Sequence, residues 1–243
     1  MKMKIGFFDF TGCEGCQLTV MNLENDLFQV LQLVEVVEFR ELMSEEVATL
    51  DIAFIEGSIT REKDRIRLQQ IRRKSKTLVA LGACADNGGV NLLAGDEDVA
   101  ALRRRVYACD DQHLLTDRPQ ALHQVVPVDY RIPGCPIDGR EFLAVLQALL
   151  LERDPELPNF AVCVECKLAE YPCSFDYGEI CLGPVTRAGC RAICIEGGDR
   201  CRGCRGLVDN PRTNPYHRVL EEHGLTVDAI LEQYRTFNIG EGS

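Results

Sequence analysis

The residues best equipped for chemistry in this 243-residue sequence are its thirteen cysteines. Cys13 and Cys16 stand in TGCEGC, Cys84 in LGAC and Cys135 in PGCP. Eight more, Cys163, Cys166, Cys173, Cys181, Cys190, Cys194, Cys201 and Cys204, crowd the stretch from Ala161 to Gly206. Cys109, in YACDD, stands apart and reads as a free thiol used as a small apolar side chain. Thiols spaced this closely cross-link, exchange as a redox dithiol, or hold a metal. A lone C-x-x-C on an α/β chain is often a dithiol, but the number of thiols here points to metal. Both zinc and an iron–sulfur cube accept four thiolates.

Charge and hydropathy narrow the setting. The formal net charge is −11, which argues against a phosphate-binding surface. The basic runs IRRKSK and LRRR read as solvated helix faces. Mean hydropathy is near zero and no apolar run approaches a membrane span. MKMKIGFFDF starts like a signal peptide, but its apolar stretch breaks at Asp9 and no small-residue cleavage site follows. The expectation is a cytoplasmic protein with no membrane span of its own and no nucleic-acid partner. Thiols stay reduced there, so clustered cysteines are expected to bind metal rather than pair.

The elements that must position these thiols alternate along the first half of the chain. Apolar or β-branched runs at 4–10, 33–39, 51–57 and 77–84 read as strands, and a weaker one at 124–130 carries Pro127. Helical spacing fills the gaps: Val20, Leu23, Leu27, Val30 and Leu31 follow the first strand. After PGCPIDG, Asp138 is placed to cap a helix whose Phe142, Leu143, Val145, Leu146, Leu149 and Leu150 share a face. This pattern predicts an α/β fold with a flavodoxin-like parallel sheet. Ligands of such sheets gather beyond the carboxyl ends of the strands, where Cys13, Cys16, Cys84 and Cys135 would meet from three loops. Glycines at 12, 15, 82 and 134 allow the backbone to approach a bulky anion there.

The chain reads as two parts, a flavodoxin-like domain over 1–155 and an appended cysteine-rich module with C-terminal helices over 156–243. The module is too rich in Gly and Cys to fold by apolar burial alone, so metals or cross-links must hold it. Its eight cysteines suffice for two four-cysteine cubes. Between Ala161 and Gly206 six acidic residues balance six basic ones, and Arg187, Arg191, Arg200, Arg202 and Arg205 lie between the cysteines, where they would offset anionic clusters. CVEC and CRGC resemble the halves of a zinc ribbon, yet 34 residues separate Cys166 from Cys201, against roughly 15–20 in such sites.

In order, TGCEGC, GAC, PGCP, CVECK, CLGPVTRAGC and CRGCRG resemble the small subunit of cytoplasmic [NiFe] hydrogenases over about residues 3 to 210. The nearest type is the delta subunit of the NAD(P)-linked enzymes also called sulfhydrogenases; the deazaflavin-reducing and heterodisulfide-reductase-linked hydrogenases are related. The resemblance implies an electron-transfer subunit with three [4Fe–4S] clusters and no catalytic residue or hydrogenase activity of its own. The proximal cluster would use Cys13, Cys16, Cys84 and Cys135, and the eight later cysteines would hold the medial and distal ones, in a partition the spacing leaves open. The implied partners are a large subunit holding the nickel–iron centre, a subunit with flavin (FAD) and NAD(P), and ferredoxin-like carriers. Ile137 and Ile195 depart from prolines common at those motif positions.

Relatives of the deazaflavin type can use a carboxylate as a cluster ligand where Glu56 stands, although four thiols already satisfy a cube. Glu14 reads as a hydrogen-bond acceptor, and His113, His123, His217 and His223 as surface or capping residues. Thr226 is placed to cap a last helix with Val227, Ile230, Leu231 and Tyr234 on one face. Neither a P-loop nor G-x-G-x-x-G occurs. Two other readings are a zinc-stabilised interaction module and the small subunit of a quinone-reductase-like complex. A single cluster, and adjacent cysteines in the first motif, are usual for the latter.

Overall fold

The computed structural model describes residues 2–23, 25–39, 47–92, 97–108, 116–213 and 215–234. Cys109 and His113, and the side chains of Leu27, His217, Leu231 and Tyr234, lie outside the described residues.

Alternating apolar runs produce a parallel sheet of β1 (Met3–Asp9), β2 (Val34–Phe39), β3 (Leu50–Glu56), β4 (Ser75–Leu81) and β5 (Tyr130–Ile132). Their spatial order is β2-β1-β3-β4-β5, with every pairing parallel. This is the flavodoxin-like order expected from the alternation of strands and helices. Successive side chains point to opposite faces, so Ile5, Phe7, Ile52 and Phe54 enter one core while Phe8, Phe10, Ala53 and Ile55 enter the other.

Helices cover both faces. The run after β1 forms two helices, α1 (Gly15–Met21) and α2 (Asn25–Leu33), rather than one. The face of α3 (Glu62–Lys74) bearing Leu68 and Ile71 packs on the second core. Short α4 (Gly82–Asn87) leaves β4 directly, and α5 (Val99–Tyr107) is capped by Asp98. α6 (Gly139–Leu150) buries Phe142, Val145, Leu146 and Leu149 in the first core. Its cap is the expected one: the Asp138 carboxylate accepts from the Arg140 and Glu141 amides at 2.9 and 3.2 Å.

Two strands differ from the sequence reading. The fourth ends at Leu81, and Gly82–Cys84 begin α4 instead. The fifth, expected over 124–130, occupies Tyr130–Ile132. Pro127 cannot donate to a ladder, and the amides of Val125 and Val126 turn back to the Leu122 carbonyl at 2.9 and 3.0 Å. Val125, Val126 and Val128 still pack in the second core, so their β-branched character serves burial rather than pairing.

Beyond α6, α7 (Val162–Leu168), α8 (Ile193–Glu196), α9 (His217–Glu222) and α10 (Val227–Tyr234) are short or terminal. Val162, Phe175, Leu182, Val185, Ile195, Leu220 and Ile230 form a third core together with Cys181 and Cys201. The Ala229 amide donates to Thr226 Oγ1 at 3.2 Å, as the expected cap requires. No helix among the described residues is long and apolar enough to cross a membrane.

Phe54 is fully buried, with its ring centroid 5.2 Å from those of both Phe7 and Phe142. Phe54→Ala should lower unfolding free energy by about 3–5 kcal/mol, the range for emptying a core aromatic site. Denaturant unfolding checks this, and a loss below about 1 kcal/mol would mean that the first core does not depend on this contact.

Candidate functional site

The first site grows from the carboxyl ends of the strands. Cys13 follows β1, Cys16 lies in α1, Cys84 lies in α4 and Cys135 follows β5. Burial above all raises three of these thiols, and their neighbours add to it: Cys135 and Cys13 act on Cys84, Glu56 and then Cys84 on Cys16, and Cys13 on Cys135. The Ala83 amide donates to the Gly134 carbonyl at 2.7 Å, which fastens the Cys84 turn to the Cys135 loop. Gly82 holds φ +81°, and a Cβ there would run into Cys16 Sγ. Only glycine lets β4 turn into α4 this close to the sulfur.

Glu56, at the end of β3, is buried beneath this group. Its two carboxylate oxygens accept the amides of Cys16 at 3.1 Å and Gln17 at 2.9 Å. It therefore supplies the cap that α1 lacks from Glu14, which stands at the helix start in the left-handed region with no capping bond. Burial pushes the Glu56 carboxyl above its ordinary range, although the two amides pull it down. With one amide on each oxygen, Glu56 seats Cys16 and the start of α1.

The eight module cysteines separate into two groups. Cys190, Cys194, Cys201 and Cys204 line a cavity of about 330 Å³, which Gly134, Cys135 and Pro136 also border. Cys163, Cys166, Cys173 and Cys181 line another of about 70 Å³, closed by Val162, Phe175, Ile195 and Val219. The groups join at backbone donors. Cys204 is stabilised by the Cys135 amide, and the Cys201 amide donates to Cys181 Sγ at 3.3 Å. The sulfur sites therefore run from the sheet edge to the Cys190 group and on to the Cys163 group. The cysteines last in sequence lie in the middle.

These surroundings fit a cationic inorganic core. All twelve described cysteines are free thiols. Burial first, and then neighbouring sulfurs, push Cys84 and Cys204 up to about 12 and drive Cys163 and the buried Cys201 upward as well; for Cys16 burial is followed by the Glu56 carboxylate. Without a cation these thiols stay protonated; a bound metal reverses that preference. Backbone donors are aimed at sulfur, with Gly183 N 3.5 Å from Cys181 Sγ. A Cβ on Gly183 would lie 3.4 Å from both Cys163 and Cys181 Sγ, so the absent side chain leaves room beside the sulfurs. Even the 70 Å³ cavity is several times the roughly 10–15 Å³ that one water occupies on this scale.

The arginines expected to offset cluster charge already have carboxylate partners. Arg187 pairs with Asp209, Arg191 with Asp138, Arg200 with Glu179, Arg202 with Asp199 and Arg205 with Glu141. Arg205 and Arg202 nevertheless pull Cys190 and Cys194 down against the dominant effect of burial. Of the histidines, His123 meets the Asp86 carbonyl at 3.1 Å. His223 is more than a surface residue: its ring stacks on Phe175, with centroids 4.9 Å apart, and ligand atoms of His223, Asp176 and Cys173 lie within 4.8 Å of one another. No sequence spacing announces that meeting.

Comparison with known proteins bears on this geometry. Residues 13–149 match the family described as NADH ubiquinone oxidoreductase, 20 kDa subunit. The chain is 36% identical over 237 residues to sulfhydrogenase 2 subunit delta of Pyrococcus furiosus, covering 97% of this chain and 99% of that one. It is 32% identical to a subunit of the vhu F420-non-reducing hydrogenase of Methanococcus voltae, covering 86% and 83% of the two chains. A chain of an NAD+-reducing [NiFe]-hydrogenase solved in the H2-reduced state superposes with a TM-score of 0.60 at 30% identity, covering 65% of this chain and 96% of that one.

Glu56→Ala should cost about 1–3 kcal/mol, because it leaves two buried amides without an acceptor. Glu56→Gln retains one acceptor oxygen and should cost less. Unfolding of the two variants side by side checks this, and equal losses would contradict the capping role.

Proposed function

The chain belongs to the NADH ubiquinone oxidoreductase 20 kDa subunit family, among its hydrogenase small subunits, and is a subunit of an oxidoreductase; on that premise we propose that it conducts electrons between two partner subunits through three [4Fe–4S] sites. The observation that carries this reading is the unbroken file of three four-thiol groups, linked at Cys135 to Cys204 and at Cys201 to Cys181. Cys13, Cys16, Cys84 and Cys135 hold the proximal cluster, Cys190, Cys194, Cys201 and Cys204 the medial one, and Cys163, Cys166, Cys173 and Cys181 the distal one.

Such clusters, when bound, accept and release single electrons at potentials set by charge, hydrogen bonding and exposure. The residues of this chain provide those settings. Amides of Cys135, Cys201 and Gly183 donate to the sulfurs. Val162, Phe175 and Ile195 exclude water from the distal group. Glu56 fixes α1 and hence Cys16. The exposure of Cys13 and Cys135 suits a large subunit carrying the nickel–iron site on that side. Ferredoxin-like and flavin/NAD(P) subunits take the distal side, in keeping with a relative named NAD+-reducing. We read residues 1–155 as the flavodoxin-like domain with the proximal site and 156–243 as the module for the other two, in a cytoplasmic complex. The quinone-reductase alternative draws less support, because the 20 kDa subunit match stops at residue 149, whereas the sulfhydrogenase delta subunit parallels the chain through the module.

Cys84→Ser in the assembled complex tests the proximal assignment. It should remove about four irons per chain, the content of one cube, and abolish hydrogen-dependent reduction of NAD(P) while nickel in the large subunit is retained. Wild-type turnover with full iron would count against the assignment.

A further inference from the structure

Among the described residues Arg205 is the largest side chain that is fully enclosed, at 2% exposure. Each part of its guanidinium has a partner from a different segment. Nε donates to the Ala188 carbonyl at 2.8 Å, Nη1 to the Pro133 carbonyl at 2.7 Å, and Nη2 to Glu141 Oε1 at 2.6 Å. Pro133 lies two residues before Cys135 of the first group, and Ala188 two residues before Cys190 of the second. Arg205 itself follows Cys204, and Glu141 stands in the first turn of α6. One planar group thus ties the loop of the first thiol group to two loops of the second, and anchors all three to a core helix.

The surroundings are built around this contact. Gly189, at φ +115°, sits where a Cβ would run into Arg205 Nη2 and Glu141 Oε1. Lysine could not replace the arrangement, because an ammonium on a flexible stem lacks the fixed fork that reaches three acceptors in one plane. Stability alone does not account for it either, since apolar residues of similar volume often replace a buried ion pair without loss. What an apolar replacement would lack is direction: hydrogen bonds fix where the Cys135 loop stands relative to the Cys190 and Cys204 loops.

We propose that Arg205, with Glu141 as its buried counter-ion, is a positioning residue that sets the spacing between the first and second four-cysteine groups. This inference rests on the reading of both groups as cluster sites. The tie fixes the separation between proximal and medial centres, while the cysteines hold the centres themselves.

The test uses the complex, purified anaerobically with its partner subunits, in wild-type form, as Arg205→Lys and as the paired variant Arg205→Met/Glu141→Leu. The paired variant removes both charges, so neither is left buried alone. Iron per chain is measured first, followed by electron paramagnetic resonance of the fully reduced protein, where neighbouring paramagnetic centres broaden each other according to their separation. The expected result is wild-type iron in both variants with an altered interaction between the proximal and medial signals, lysine failing to restore it. Wild-type interaction in iron-replete variants would overturn the proposal and leave the cluster reading intact. Loss of medial iron in the paired variant, with wild-type interaction in Arg205→Lys, would also overturn it, because packing alone would then explain the arginine. A wild-type complex without iron–sulfur signals would remove the cluster reading and this inference together.

Discussion

A thiol taken out of water surrenders its proton only where positive charge or a hydrogen-bond donor meets the sulfur. In this protein burial and crowding drive Cys84 and Cys204 up to about 12 and push the enclosed Cys201 upward too. The rest of the architecture answers that constraint. Amides point at Cys181 and Cys204, glycines at 82 and 183 clear space beside sulfur, and the second and third groups each line a cavity, the second one bordered also by Cys135. A protein that held these thiols for packing alone would need neither the donors nor the space.

Two ways of building a sulfur site stand side by side. The first group uses the ends of a parallel sheet, whose two apolar faces fix the loops before any metal arrives. The others hang on loops whose core includes Cys181 and Cys201 themselves, so metal binding and local folding are one process there. Two ion pairs join these regimes. Asp138 caps α6 while meeting Arg191, and Glu141, three residues on, meets Arg205. One helix start therefore registers the module against the sheet.

Much of this is legible in the sequence because it is local. The alternation of runs points to the flavodoxin-like sheet, Asp138 and Thr226 announce their caps, and the four early cysteines stand after the right strands. The fifth strand is misplaced by sequence reasoning because Val125, Val126 and Val128 look alike whether they pair or merely pack, and Pro127 decides the matter. The long-range contacts leave no trace in spacing. Glu56 reaches Cys16 across 40 positions and Arg205 reaches Glu141 across 64, and His223 meets Cys173 from another element. The partition of the eight module cysteines is hidden for the same reason, since the chain doubles back and places its last four between the other groups.

The central claim is that these thiols hold three iron–sulfur cubes in line. Analysis of iron, acid-labile sulfide, zinc and nickel in the complex, purified anaerobically with its partners, tests it most directly. The account predicts about twelve irons and twelve sulfides for this chain, with nickel contributed by a companion subunit. Zinc without sulfide would contradict it, and the thiols would then be structural.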